Sequence, residues 1–140
     1  IEDFYFHRAP LKDGVLEMLD RLKARGVKMC VATATDRYLV KAALERTGIM
    51  AYFSGIFTCS EVGLGKDEPE IFSQALNFLG TNLDETIVFE DALYAIKTAK
   101  SMGFKVVAMH DKSSEMNQDQ IKKLADCVYK SFVEWNEDNA

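Results

Sequence analysis

A chain of 140 residues in which 48% are hydrophobic is long enough for one domain with its own core. Its formal charge of −5 and pI near 5.1, with Lys and Arg scattered, exclude the basic footprint of a nucleic-acid or anionic-membrane binder. Cys30, Cys59 and Cys127 are odd in number, lack C-x-x-C spacing and lie in or beside apolar runs. This argues against a zinc site and predicts buried, reduced thiols in a cytoplasmic protein.

No apolar run reaches the ~20 residues of a membrane span, and no signal peptide is expected ahead of the fold. The first residue is Ile1 rather than Met, so the chain is expected to begin inside a longer gene product.

Hydrophobic patterning alternates between short β-branched runs and longer helical periods, which predicts an α/β domain built on a mostly parallel sheet. Residues 12–26 place Val15, Leu16, Leu19 and Leu22 at helical spacing and stop at Gly26. A strand over 27–35 follows, then an amphipathic helix from Asp36, a candidate N-cap, to Gly48. A short strand over 55–61 leads through a Gly-rich loop, 62–67, to a helix with Pro69 in its first turn and Gly80 at its end.

A buried strand over 86–90, a helix from Asp91 to Gly103 and a strand over 105–110 complete the strongest part of the pattern. Ser113 or Ser114 is expected to cap a helix running through 120–126, ahead of a last strand over 127–131. The polar end, 136–140, is expected to fray.

In an open parallel sheet, ligands bind outside the carboxyl ends of the strands, so the residues there are the functional candidates. Thr33 can offer a hydroxyl to a phosphate oxygen and the Ala34 N–H points the same way, although a β-branched residue in a strand needs no function. Lys66 follows Gly65 on a flexible loop, where an ammonium could neutralise a bound anion or simply be solvated. Glu90 and Asp91 offer hard oxygen donors suited to Mg²⁺.

Asp91 would equally serve as a helix cap. Capping does not account for Glu90, which ends an apolar run and is costly to bury without a cation or donors. His7, His110 and the Ser113–Glu115 stretch form no recognisable triad or metal spacing and are read as structural.

Thr33 in "VATAT", Lys66 in "GKDEPEIF" and the acidic pair in "VFEDALYAIKTAKSMG" occur in an order that resembles the haloacid dehalogenase (HAD) superfamily, specifically phosphatases similar to β-phosphoglucomutase. The resemblance implies a three-layer Rossmann-like core over 11–140, with 1–10 as the remnant of a linker from a cap domain. It implies that Thr33 and Ala34 bind the transferring phosphoryl group and that Lys66 balances its charge. It also implies that Asp91 and Glu90 hold Mg²⁺, and that a small phosphorylated metabolite is hydrolysed through an aspartyl-phosphate.

Asp67 stands where the family often has Pro, and Ala92 and Ala95 where it often has Ser or Thr and Gly. The larger departure is that no D-x-D, the family's first motif and the source of its nucleophile, occurs in these residues. In the family that motif ends the central strand, between the strands corresponding to 27–35 and 86–90. The gap is expected to be filled by a segment outside these residues, by another chain through strand complementation, or by "DFYF" (3–6) as a substitute strand.

The chain alone is therefore expected to be inactive. A non-catalytic interaction or scaffold remnant is the alternative. A receiver-like phosphoacceptor module fits less well, because there the acidic pair precedes the Thr and Lys positions.

Overall fold

The computed structural model describes residues 1–139. Among the described residues, five strands and six α-helices follow in the order α1 (Val15–Ala24), β1 (Val31–Thr33), α2 (Arg37–Arg46), β2 (Ile56–Thr58), α3 (Cys59–Val62), α4 (Glu70–Leu79), β3 (Ile87–Glu90), α5 (Leu93–Met102), β4 (Lys105–Met109), α6 (Gln118–Leu124) and β5 (Cys127–Tyr129). Every pairing is parallel, as expected for strands joined by helical crossovers.

The strands form two sheets. One has the order β1-β2, with Val31 opposite Ile56 and Thr33 opposite Thr58. The other has the order β3-β4-β5, with Glu90 opposite Ala108. β1 and β3 each keep one edge unpaired, which is the interruption expected between them. All three residues of β1 are half-buried, whereas Val106 to Met109 of β4 are buried.

Side-chain alternation along β3 and β4 separates two hydrophobic cores. Val88, Val106 and Ala108 face a core of Ile71 and Phe72 from α4, Ala95, Ile96 and Ala99 from α5, and Ile121 from α6. Ile87, Phe89, Val107 and Met109 face the other, made by Met18, Leu19 and Leu22 of α1 with Phe132 and Trp135. Period-2 strands buried on both faces give three layers. Ala32 of β1 packs on the first core and Met29, just ahead of it, on the second, so side chains rather than backbone bonds join the two sheets.

Several expectations are corrected. Residues 3–6 do not form a substitute strand: Phe4–Arg8 is a short π-helix. It is held against α2, where Arg46 Nη2 donates to the carbonyls of Tyr5 (3.3 Å) and Ala9 (2.5 Å) and Tyr38 Oη donates to Glu2 (2.8 Å). In α1 the buried stripe runs through Met18, and Leu16 is exposed. The segment expected as a strand over 55–61 turns helical at Cys59, because the Thr58 hydroxyl accepts from the Glu61 N–H and caps α3.

Neither Ser113 nor Ser114 caps α6. Asp111 caps the 3₁₀ stretch Lys112–Asn117 through Ser113 N–H, and α6 begins only at Gln118. The polar end is tied down as far as it is described: Glu137 pairs with Arg21 (3.1 Å) and Arg25 (3.3 Å), and Glu137–Asn139 forms a 3₁₀ turn, while Ala140 lies outside the described residues. The three cysteines are free thiols, half-buried rather than fully buried.

Candidate active site

The carboxyl end of β3 carries the strongest arrangement. Glu90, its last residue, is only 8% exposed at the side chain and spends both oxygens on donors. Oε1 accepts from Lys66 Nζ at 2.7 Å, and Oε2 accepts from the N–H groups of Asp91 (2.8 Å) and Ala92 (3.2 Å). Burial alone would push this carboxyl up, but the Lys66 ammonium and the donors outweigh it and hold Glu90 below the usual carboxylate value. A charged residue can end an apolar strand here because its charge is matched.

Lys66 is delivered by the loop between α3 and α4. Gly63 ends α3 at φ 87°, a left-handed conformation that reverses the chain towards β3. The lysine side chain is 13% exposed, so it is a placed residue and not a solvated loop lysine.

Asp91 does not cap α5, whose N-cap is Ala92 without a side-chain bond. Among the described residues no N–H or hydroxyl donates to its carboxylate. Burial, then the adjoining Glu90 carboxyl and the charge of Asp111, raise its pKa to about 6, with Lys12 opposing. A half-buried carboxylate beside a second one and short of donors suits a hard cation. The donor set therefore fits Mg²⁺ at Asp91, with further oxygens needed, since no group of three His, Cys, Asp or Glu among the described residues is arranged to hold a metal.

Thr33 ends β1, and its Oγ1 accepts from Thr35 N–H at 3.0 Å. With that acceptor site taken, the hydroxyl proton is left to donate outward. Ala34 is exposed and its N–H has no partner among the described residues. Lys66, Glu90 and Asp91 are thus brought together. Thr33 and Ala34 sit at the end of a strand in the other sheet, with no hydrogen bond to those three among the described residues.

Sequence reasoning did not use Lys12. Its ammonium lies 2.8 Å from Asp111 Oδ1, just past β4, and Ser113 donates to Oδ2 through both hydroxyl (2.5 Å) and N–H (3.1 Å). Lys12 first and Ser113 second hold Asp111 well below its ordinary value. Only the place of Asp111 after a strand signalled it, and its partner is 99 positions away.

The model of the haloacid dehalogenase-like hydrolase family matches residues 2–103, a stretch that contains Thr33, Ala34, Lys66, Glu90 and Asp91. The chain belongs to the haloacid dehalogenase-like hydrolase family.

Among its relatives, the Streptomyces hygroscopicus validoxylamine A 7'-phosphate phosphatase is 32% identical over 114 residues, covering 79% of this chain and 54% of that protein. Protein SUPPRESSOR OF QUENCHING 1, chloroplastic, of Arabidopsis thaliana is 32% identical over 103 residues, 73% of this chain and 10% of that protein. In structure, a HAD phosphatase from Thermococcus onnurineus aligns with TM-score 0.73 at 26% identity, covering 85% of this chain and 53% of that one. The haloacid dehalogenase-like chain spans about half the length, or less, of the curated relatives it matches. Among the described residues no helix is long and apolar enough to cross a membrane.

Proposed function

We propose that this chain carries the phosphate-receiving, charge-balancing and metal-holding parts of a cytoplasmic, Mg²⁺-dependent phosphatase that hydrolyses a small phosphorylated metabolite through an aspartyl-phosphate. The observation that carries the reading is the buried contact of Lys66 with Glu90 beside the donor-poor Asp91, in a chain of this family. Nothing in the charge pattern invites a nucleic-acid or membrane partner.

In this reading Asp91 is the metal-holding carboxylate. Glu90 lies beside it and fixes the Lys66 ammonium 2.7 Å away, ready to balance an incoming phosphate. The Thr33 hydroxyl and Ala34 N–H donate to phosphoryl oxygens. Mg²⁺ held at Asp91 would supply positive charge to orient the phosphate and offset negative charge in the transition state.

The nucleophilic Asp comes from outside these residues, in the same polypeptide or another chain, on a strand that pairs with the free edges of β1 and β3. The chain alone binds Mg²⁺ but does not turn over. Adding a D-x-D-bearing strand, joined or in trans, is expected to produce Mg²⁺-dependent hydrolysis of p-nitrophenyl phosphate. Hydrolysis by the chain alone that Asp91→Asn abolishes would refute the outside nucleophile, and an absence of turnover after complementation would refute the phosphatase.

A further inference from the structure

Thr33 Oγ1 is fixed by Thr35 N–H, so the orientation of the Thr33 hydroxyl depends on what fixes Thr35. The Thr35 hydroxyl lies 3.2 Å from Tyr5 Oη, a contact that spans 30 residues of sequence. Tyr5 belongs to the π-helix Phe4–Arg8 and is its one residue that is not exposed.

That helix is a fixed support. Arg46, the last residue of α2, donates to Tyr5 O and Ala9 O, Tyr38 near the start of α2 donates to Glu2, and the Tyr5 ring stacks edge-on with Phe4 at 5.5 Å. The turn at 33–36 also leads directly into α2. Tyr5 and the turn are therefore two branches from one helix, and their hydroxyl contact closes the triangle.

We infer that Tyr5 is a positioning residue for the phosphate-receiving turn, acting through Thr35 on the Thr33 hydroxyl and the Ala34 N–H. This rests on the proposed phosphate role of Thr33 and Ala34. With its hydroxyl against Thr35 Oγ1, Tyr5 restricts the rotation of the turn, so fewer orientations have to be given up when an oxyanion binds.

The consequence is specific to one atom. Tyr5→Phe keeps the ring, its packing on Phe4 and the backbone contacts with Arg46, and removes only the hydroxyl.

The test is titration of the 140-residue chain with inorganic phosphate in the presence of Mg²⁺, read at the Ala34 and Thr35 amide resonances. Tyr5→Phe is expected to weaken phosphate binding about three- to tenfold, the range of one net hydrogen bond. Its thermal midpoint should stay near wild type, while Tyr5→Ala should lower both.

In a Thr35→Val background, Tyr5→Phe should have no further effect on phosphate binding, because the relay is already cut. Unchanged affinity in Tyr5→Phe, or additive losses in the double variant, overturns the positioning role while leaving the phosphate site standing. If wild-type amides do not respond to phosphate, or Thr33→Val leaves the response intact, the phosphate reading falls and the role of Tyr5 with it.

Discussion

Replacing Lys66 by Met tests the electrostatic account of the site directly. The ammonium is 2.7 Å from Glu90 Oε1, and the two side chains are 13% and 8% exposed, so the pair is effectively buried. Breaking such a pair from one side costs about 3–5 kcal/mol, because the remaining charge loses its partner without regaining water. The Asp91 and Ala92 N–H groups still donate to Oε2, which places the cost near the low end, about 3 kcal/mol.

Urea unfolding at neutral pH reads this as a fall in midpoint of about 1.5–2 M for a slope of about 1.5–2 kcal/mol/M. The double variant Lys66→Met/Glu90→Gln should recover at least half of the loss, since a neutral amide leaves no buried charge. A single-variant loss below about 1 kcal/mol, or a double variant no better than the single, would refute the claim that Lys66 matches the Glu90 charge.

Three further expectations follow from other contacts. Asp91→Asn should weaken Mg²⁺ binding measured by calorimetry at least tenfold, and a loss under twofold would remove Asp91 as the metal carboxylate. Asp126 is pushed up by burial, but Lys100 at 2.9 Å and the Val106 N–H at 2.7 Å hold it lower overall, so its contribution is present above the unfolded value near 4 and fades as pH falls through the folded one. With its side chain about a third exposed, Asp126→Asn should cost about 1 kcal/mol near pH 7, and denaturation curves of variant and wild type should converge in acid. Gly14→Ala should cost about 2 kcal/mol or more in thermal unfolding, because Gly14 sits at φ 82° and a Cβ there would lie 2.5 Å from Val133 N.

The order of elements, the placement of Thr33, Glu90 and Asp91 at strand ends and of Lys66 on a Gly-rich loop were legible because strands buried on both faces and helices with Gly stops leave strong periodic signals. What escaped was decided by partners distant in sequence. "DFYF" carries strand-like aromatics, yet α2 supplies Arg46 and Tyr38 to hold it as a helix. Asp91 reads as a cap by residue type, but α5 starts a residue later than that reading needs, with Ala92 at the N-cap, and Glu90 takes up the amides of Asp91 and Ala92. The polar tail gave no sign of order, since Arg21 and Arg25 lie more than a hundred positions earlier.

The break between the sheets also divides neighbouring amides of one short strand. Val31 N–H donates to Gly55 O across the β1-β2 ladder, so the Ala32 N–H, one residue on, projects from the opposite edge. In hydrogen exchange, Val31 should be slow and Ala32 fast, although the two are adjacent. A strand seated against β1 would slow Ala32 alone and leave Val31 as it was, so this single amide reports whether the gap is filled.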